Sequence, residues 1–187
     1  VRRAGVKKGD QVILLGVGAI GSFVCVALQS YGVNVVAMDI SQQRLDVATQ
    51  LGADSTILIT SDVTPAEIKT LFPAGADVVF ETSGAPGAAA RGLALAKRGG
   101  TLMLMGLNKT PQDFPFTDAV LREVVLQTTV AHVCKDDMPE ALALLASGTV
   151  ARLLTDRVYS LENIGEAFEA LTSGKANGKI LVTPQNV

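Results

Sequence analysis

The sequence predicts an α/β domain built on a doubly wound, six-stranded parallel sheet with helices on both faces. Six short apolar runs of strand length recur along the chain, stretches with helical spacing of apolar residues alternate with them, and the connections are short. Continuous apolar runs are typical of parallel strands that are buried on both faces. Right-handed crossovers between such strands place helices on both sides of the sheet.

The first elements follow this alternation closely. Residues Gln11–Gly16 form an apolar run of strand length, a helix is predicted over Gly18–Tyr31, and a second strand over Asn34–Met38. Asp39 stands at the end of that second strand. The inward face of the first helix is expected to consist of its apolar residues at helical spacing, which are Ile20, Val24, Ala27, Leu28 and Tyr31.

The second helix carries start and stop signals. Ser41 is a predicted N-cap and Gly52 a predicted C′ residue, where glycine accepts the left-handed conformation. Its predicted inward residues are Leu45, Ala48 and Leu51.

The later elements continue the pattern. The predicted strands lie at 55–59, within 76–84, at 101–107 and within 122–133, and the predicted helices at 64–71, within 86–100 and at 137–148. Pro65 suits the first turn of the 64–71 helix, and the 86–100 helix is expected to end in its glycines. We assign 1–149 to the sheet domain and 150–187 to an extension with strand, helix and strand.

Composition points to a small-molecule partner. The 187 residues carry a net charge of −2, and lysine and arginine are scattered, so no basic surface for nucleic acid or an anionic membrane is expected. The sequence contains no apolar run near the length of a membrane span and no signal-peptide pattern, so a cytoplasmic location is expected.

The two cysteines, Cys25 and Cys134, lie far apart and in unlike contexts. Without a CxxC motif or a histidine cluster, neither a disulfide framework nor a zinc site is indicated, and no metal ligands are assigned in this chain. Both thiols are expected to pack in the core.

Three glycines, Gly16, Gly18 and Gly21, follow the first strand and open the first helix. In this context the spacing predicts a dinucleotide-binding Rossmann domain: Gly16 permits the sharp turn, Gly18 lets a pyrophosphate approach the backbone, and Gly21 permits close packing of helix and strand. The helix N-terminus would then favour the phosphates. The alternative is that the glycines serve tight packing alone.

Asp39 lies 23 positions after Gly16, near the spacing at which a carboxylate binds the adenosine ribose. A 2′-phosphate about 4 Å from this carboxylate would be repelled by roughly 4 kcal/mol at an effective dielectric constant of about 20, so the sequence favours NAD over NADP. Arg44 is the counter-argument, because an arginine there could bind a phosphate.

Two further loops are expected at the carboxyl ends of strands, where ligands of this architecture bind. They are Phe80–Gly84, in which Ser83 is placed to bond a ribose, and Leu104–Leu107, in which the backbone from Met105 onward is placed to meet a nicotinamide carboxamide. The alternative is a pair of ordinary strand-to-loop turns.

The groups that would manage the proton of a reacting alcohol are missing. Neither Tyr31 nor Tyr159 has a lysine four residues on, so the Tyr-x-x-x-Lys pair is absent. His132, the only histidine, stands near the end of the sixth predicted strand, but a histidine without an orienting carboxylate is more often structural. We therefore assign no catalytic residue. We expect the chain, which enters a strand soon after Val1, to be a fragment that is inactive alone.

Several stretches together resemble the cofactor-binding half of the medium-chain, zinc-type alcohol dehydrogenases, near their sorbitol, threonine and butanediol members. They are residues 4–54, DVVFETSG, GGTLMLMGL and YSLENIGEAFEALTSGKANGKILV. The resemblance covers nearly the whole chain and implies an NAD-linked oxidation of a secondary alcohol or polyol.

The resemblance also implies roles for individual residues. Val17, Ala19 and Ile20 would line the pyrophosphate, Asp39 would hold the adenosine ribose, and Ile40 and Arg44 would flank the adenine. Those approaching the ribose or the nicotinamide would be Thr82, Ser83, Met105, Gly106 and Leu107.

Family members carry an N-terminal barrel-like domain that supplies the zinc ligands, and by this resemblance the present chain begins after it. Its 150–187 extension would pack on that domain.

The resemblance further implies a homodimer formed by edge pairing of cofactor domains. Pro111–Thr117 is the expected edge, because prolines suit an edge strand. A self-packed surface loop is the equal alternative for that segment.

Three other functions stay open from the sequence. They are a zinc-free, NADP-dependent member of the quinone-oxidoreductase branch, a methyltransferase that binds S-adenosylmethionine, and a regulatory NAD-sensing module without a reaction. The dinucleotide spacing of the glycines argues against the methyltransferase, and Asp39 argues against the NADP-dependent branch.

Overall fold

A computed structural model describes residues 1–60, 68, 70, 72–108, 110–146, 148–173, 176 and 178–184. The chain forms two compact units, Val1–Val133 and Cys134–Val187. The boundary predicted between the sheet domain (1–149) and the extension (150–187) falls within the second unit. That the extension packs on another domain stays a prediction.

A six-stranded sheet forms the first unit. Its strands are β1 (Gln11–Leu15), β2 (Asn34–Asp39), β3 (Ser55–Leu58), β4 (Ala76–Glu81), β5 (Ala96–Leu104) and β6 (Val125–Thr128). The order is β3-β2-β1-β4-β5-β6, and every neighbouring pair is parallel. The doubly wound parallel sheet is therefore confirmed.

Helices connect these strands. The described helices of this unit are α1 (Ala19–Leu28), α2 (Gln42–Gln50), α3 (Ala88–Leu95) and α4 (Phe116–Leu121), with 3-10 turns at Arg2–Ala4 and Gln29–Tyr31. The core lies where the central strands meet the helices: Ile13 of β1, Val79 of β4 and Leu93 of α3 are fully buried in one apolar cluster. Burial on both faces explains the apolar runs at 12–15 in β1 and 78–80 in β4.

The strand order also fixes where a ligand can bind. The chain moves outward from β1 through β2 to β3, and returns to the other side of β1 with β4. At this switch point the connections leave in opposite directions and a crevice opens at the carboxyl ends of the strands. Gly16, Asp39 and Thr82 follow or end β1, β2 and β4 at this edge.

The first two helices agree with the sequence apart from details. Ile20, which the sequence predicts to face inward, is 47% exposed in the first turn of α1. Ser41 is the N-cap of α2, although its side chain makes no capping hydrogen bond. Gly52 follows the helix with a φ of +99°, as expected of a C′ glycine.

The helix expected within 86–100 is shorter than predicted. It ends at Leu95, and Ala96 already pairs with Ala76 of β4. An ion pair between Lys97 and Asp77 ties this early part of β5 to β4, and the register shifts before Thr101. The expectation that the helix runs to the glycines is therefore wrong.

Two other assignments need correction. Pro111–Thr117 is not a strand: residues 111–115 have no regular structure and Phe116 begins α4, while the rings of Phe114 and Phe116 pack edge to face at 4.9 Å. The sixth strand covers only Val125–Thr128 of the 122–133 segment. The helix expected over 64–71 lies outside the described residues except at positions 68 and 70, which are helical, and Ile68 is buried in the core.

The two cysteines differ. Cys25 is fully buried in α1, which confirms it as a core thiol. Cys134 is exposed, so its assignment to the core is wrong. It begins a helix with no buried residue in its described length, where a small apolar side chain has no core to enter.

The second unit contains α5 (Cys134–Ala146), α6 (Thr149–Leu154), β7 (Thr155–Ser160), α7 (Ile164–Thr172) and β8 (Lys179–Thr183), with a 3-10 turn at Leu161–Asn163. Strands β7 and β8 pair in parallel, α7 lies between them in the sequence, and α6 precedes them at the start of the predicted extension. Among the described residues of the whole chain, no helix is long and apolar enough to cross a membrane.

Candidate functional site: a dinucleotide cradle at the sheet edge

Each glycine of the loop between β1 and α1 has a separate physical reason. Gly16 has a φ of +88°, and a Cβ there would lie 2.8 Å from the Cβ of Ser83. A Cβ at Gly21 would lie 2.0 Å from the carbonyl oxygen of Gly16 and 2.7 Å from Oγ1 of Thr82. The turn and the close packing predicted for these two positions therefore follow from the geometry.

Gly18 differs from its two neighbours. Its backbone is extended at the N-cap of α1, with φ −65° and ψ −164°, and a Cβ there would meet nothing within 4 Å. Neither a positive φ nor internal packing requires glycine at this position. The space above it is open, so the absence of a side chain keeps a helix N-terminus accessible, which is the requirement for binding a phosphate.

Asp39 ends β2 beside this loop and is 5% exposed. Its Oδ2 accepts a hydrogen bond from the Val17 N–H at 2.8 Å, and its Oδ1 accepts one from the Ser41 N–H at 2.9 Å. Nη1 of Arg44 lies 3.7 Å from Oδ1. The carboxylate therefore joins the glycine loop to the start of α2, and the guanidinium of Arg44 partly balances its charge.

A cavity of about 240 Å³ lies at this part of the edge. Asp39 and Arg44 contribute charge to its lining, Ser83 a hydroxyl, and Ile40 and Pro86 apolar surface. Such a combination of apolar walls with a few polar groups is typical of a small-ligand site. Arg91 of α3 also lines it, and sequence reasoning did not single out this residue.

The loop after β4 contacts the glycine loop directly. The Oγ1 of Thr82 donates to the Gly16 carbonyl oxygen and, at 3.2 Å, to that of Leu15. Ser83 donates its hydroxyl to Oε1 of Glu81 at 2.6 Å and accepts the Ala85 N–H at 3.1 Å. The structure therefore brings together two loops that the sequence predicts to bind one ligand.

The loop after β5 joins the same group. The N–H groups of Met105 and Gly106 both donate to the main-chain oxygen of Glu81, at 2.8 and 3.0 Å. A Cβ at Gly106 would lie 2.1 Å from the Gly84 nitrogen, and a Cβ at Gly84 would lie 2.6 Å from the Leu107 oxygen. Glycine at these positions lets the two loops touch backbone to backbone.

Several side chains assigned to the cofactor are apolar and yet exposed. Ile20 is 47%, Ile40 75% and Leu107 86% exposed. Val17 behaves differently: its side chain is buried, its N–H donates to Asp39 and its carbonyl accepts the hydroxyl of Ser22. Val17 thus stabilizes the loop, whereas Ile20, Ile40 and Leu107 expose apolar surface that a ligand could contact.

Glu81 is the site residue that sequence reasoning missed most clearly. The sequence motifs assign it no role, although an acidic residue directly after the apolar run at 78–80 is a signal. It is 3% exposed, at the center of the sheet edge. Arg91 gave no comparable signal, because only the packing of α3 places it beside the cavity.

His132 is exposed, beyond the end of β6. No three His, Cys, Asp or Glu side chains among the described residues are close enough to hold a metal ion.

A family model described as zinc-binding dehydrogenase matches residues 19–147, more than half of the chain. The chain belongs to this family. The resemblance drawn from the sequence motifs is confirmed.

Three similar dehydrogenases align with nearly the whole chain. An alcohol dehydrogenase of Moraxella sp. (strain TAE123) is 33% identical over 94% of this chain, sorbitol dehydrogenase of Mus musculus 33% over 92%, and L-threonine 3-dehydrogenase of Symbiobacterium thermophilum 35% over 92%. These alignments cover 51%, 49% and 50% of the three relatives. The chain thus spans about half the length of the curated relatives it matches.

Solved structures give the same picture. A 2R,3R-butanediol dehydrogenase from Bacillus subtilis matches with a TM-score of 0.86 and 28% identity, over 98% of this chain and 53% of that one. An alcohol dehydrogenase from Escherichia coli CFT073, solved with NADH, matches with a TM-score of 0.86 at 20% identity over 97% of this chain and 54% of that one, which shows the shared fold.

Proposed function

We propose that this domain binds NAD(H) for an alcohol or polyol dehydrogenase that transfers hydride between a secondary alcohol and NAD. The observation that carries the proposal is Gly18, where the N-terminus of α1 is open and neither backbone strain nor packing explains the glycine. Family membership supports a dehydrogenase-type domain. The NADH in the related Escherichia coli structure belongs to a protein of the same fold.

The residues present fit a dinucleotide. In the proposed complex the start of α1 around Gly18 and Ala19 would face the pyrophosphate, and Asp39 the adenosine ribose. Ile40 and Arg44 would flank the adenine, while Thr82, Ser83 and the backbone from Met105 to Leu107 would approach the nicotinamide half. When bound, NAD supplies the hydride acceptor. The chain's own part is to hold and orient it.

Asp39 favors NAD over NADP in this proposal. Its carboxylate lines the cavity, and a 2′-phosphate there would meet a negative charge that is almost fully buried. Arg44 weakens but does not remove this repulsion, because its guanidinium nitrogen is already 3.7 Å from Oδ1.

We further propose that the substrate-binding half and any zinc ligands belong to a part of the enzyme outside this chain, since the chain spans about half of its relatives. The small alcohol or ketone would then be bound mainly by that half, against which residues 150–187 would pack. The 187-residue chain alone would then bind the cofactor but would not catalyze hydride transfer.

Calorimetric titration with NADH, NADPH and S-adenosylmethionine tests the proposal. Saturable binding of NADH in preference to NADPH is expected, with no binding of S-adenosylmethionine. A preference for NADPH would support the quinone-oxidoreductase-like alternative, and binding of S-adenosylmethionine alone would support the methyltransferase. An alcohol-dependent reduction of NAD by the chain joined to its substrate-binding half, but not by the chain alone, distinguishes the dehydrogenase from an NAD-sensing module.

We also propose that two copies associate through this domain. Strand β6 lies at one edge of the sheet and, among the described residues, pairs only with β5; it exposes Val125 (52%) and Leu126 (37%). A strand edge with apolar side chains favors pairing with another strand. Light scattering at high concentration should give the mass of a dimer, and a monomer would contradict the proposal.

A further inference from the structure

Glu81 is a buried carboxylate without a cationic partner among the described residues. It is 3% exposed, and the acidic side chains of the described chain buried to this degree are Glu81 and Asp39. Asp39 has Arg44 beside it, whereas no ion pair to Glu81 is found among the described residues. Its charge is therefore balanced by hydrogen-bond donors alone.

Those donors all bind one oxygen. The Oε1 of Glu81 accepts the Ser83 N–H at 2.8 Å, the Ser83 hydroxyl at 2.6 Å and the Gly84 N–H at 2.9 Å. Acceptance of three hydrogen bonds by one oxygen suits an ionized carboxylate, which only accepts. The loop after β4 is thus folded around this charge.

The other oxygen faces the second loop. A Cβ at Gly106 would lie 2.5 Å from Oε2, and Oε2 accepts no hydrogen bond from any described residue. Glu81 also lines a cavity of about 190 Å³ together with Gly84 and Gly106. The negative charge is consequently held between the two loops that we propose to approach the nicotinamide half of the cofactor.

The nicotinamide ring carries a positive charge in NAD⁺ and none in NADH. A fixed negative charge in a partly desolvated site stabilizes the charged form relative to the neutral one. We propose that Glu81 is a positioning residue whose carboxylate raises the affinity of this domain for NAD⁺ relative to NADH. The inference rests on the proposed function and adds to it a contribution of Glu81 to the affinity for the oxidized cofactor.

The test compares Glu81→Gln with the unchanged 187-residue chain by calorimetric titration of NAD⁺ and NADH separately. Glutamine keeps an oxygen for the donors of Ser83 and Gly84 but removes the charge. The ratio Kd(NAD⁺)/Kd(NADH) should rise by roughly threefold to tenfold. A purely structural role would weaken both cofactors equally and leave the ratio unchanged, which would overturn the inference.

A matched control is Glu123→Gln. It removes an exposed carboxylate just before β6, at the opposite end of the sheet from the loops, and should leave the ratio unchanged.

If Glu81→Gln lacks a cooperative thermal transition, Glu81→Ser is the second variant. It opens the same site to the adjoining cavity, so that water can accept the hydrogen bonds of the three donors. If neither variant folds, Glu81 is a determinant of stability and the inference is rejected. If the unchanged chain binds neither cofactor, the proposed function itself fails, whereas normal binding with an unaltered ratio overturns only the role of Glu81.

Discussion

The Val17 N–H donates to Oδ2 of Asp39 at 2.8 Å, so the carboxylate at the end of β2 fixes the glycine loop at the end of β1. The residue assigned to recognition of the ribose therefore also shapes the loop assigned to the pyrophosphate. Binding and loop stability are coupled at this one side chain, and a substitution there affects both.

The variant Asp39→Asn separates these effects. The Val17 and Ser41 N–H groups bind different oxygens of Asp39, and asparagine replaces one of these oxygens by an NH2 group that cannot accept. One hydrogen bond is therefore lost, and we expect the free energy of unfolding to fall by about 1 to 2 kcal/mol. Removal of the negative charge should raise the affinity for NADPH relative to NADH by tenfold or more. Urea unfolding and fluorescence titration measure the two quantities.

Asp46→Asn is the control for this experiment, because Asp46 is an exposed carboxylate on α2 that accepts a hydrogen bond from Gln42. It should change neither stability by more than about 0.5 kcal/mol nor the cofactor preference. An unaltered preference in Asp39→Asn would contradict the assignment of Asp39 to the ribose.

The variant Gly18→Val should abolish binding of NADH and leave the fold intact. A Cβ at this position meets nothing within 4 Å, so the added side chain starts in the open space that we propose a ligand occupies at the N-terminus of α1. Fluorescence titration and thermal denaturation measure the two outcomes. The same substitution at Gly165, a helical glycine that also faces open space, should leave binding unchanged. Undiminished affinity in Gly18→Val would remove the main support for the cofactor site.

The fold was largely predictable because parallel strands buried on both faces leave a continuous apolar signal. Such runs at 11–16 and 34–38 matched β1 and β2 within one residue. The errors fall where tertiary contacts override local pattern. Residues 96–100 carry lysine, arginine and two glycines, yet the ion pair of Lys97 with Asp77 and pairing with β4 make them a strand.

The site was predictable to the extent that it depends on backbone geometry. The glycine spacing predicts a turn at Gly16, an accessible backbone at Gly18 and close packing at Gly21. The structure shows a positive φ at the first, open space at the second and a close approach to backbone at the third. Glu81 and Arg91 could not be assigned in this way, because their significance depends on which loops and helices fold around them.

The variant Gly21→Ala should destabilize the domain even though alanine favors helices. The added Cβ would lie 2.0 Å from the Gly16 carbonyl oxygen, a backbone atom that cannot move without displacing the loop. Overpacking of this kind costs about 1 to 3 kcal/mol, and we expect a loss at the upper end or beyond. Urea unfolding measures it, with Gly165→Ala as the control, for which stability should be unchanged or slightly raised. Equal stability of the two variants would show that α1 and the loop are not packed as described.

Stability should fall between pH 8 and pH 10.5 through the buried thiol of Cys25. Burial, aided by the nearby charge of Asp54, raises the pKa of this thiol from 9.0 to about 11, against a smaller opposing effect of the Ala53 N–H. Above pH 9 the unfolded chain therefore releases a proton that the folded chain retains, so the unfolded state binds fewer protons and is favored as pH rises. The effect amounts to about 2 kcal/mol at pH 10.5.

Urea unfolding of the unchanged chain and of Cys25→Ala at pH 8 and pH 10.5 isolates this effect, because the other titrating groups are common to both proteins. The alanine variant should lose about 2 kcal/mol less over this range, whereas Cys134→Ala, which removes an exposed thiol, should lose as much as the unchanged chain. Parallel losses in all three proteins would mean that Cys25 is not sealed within the core.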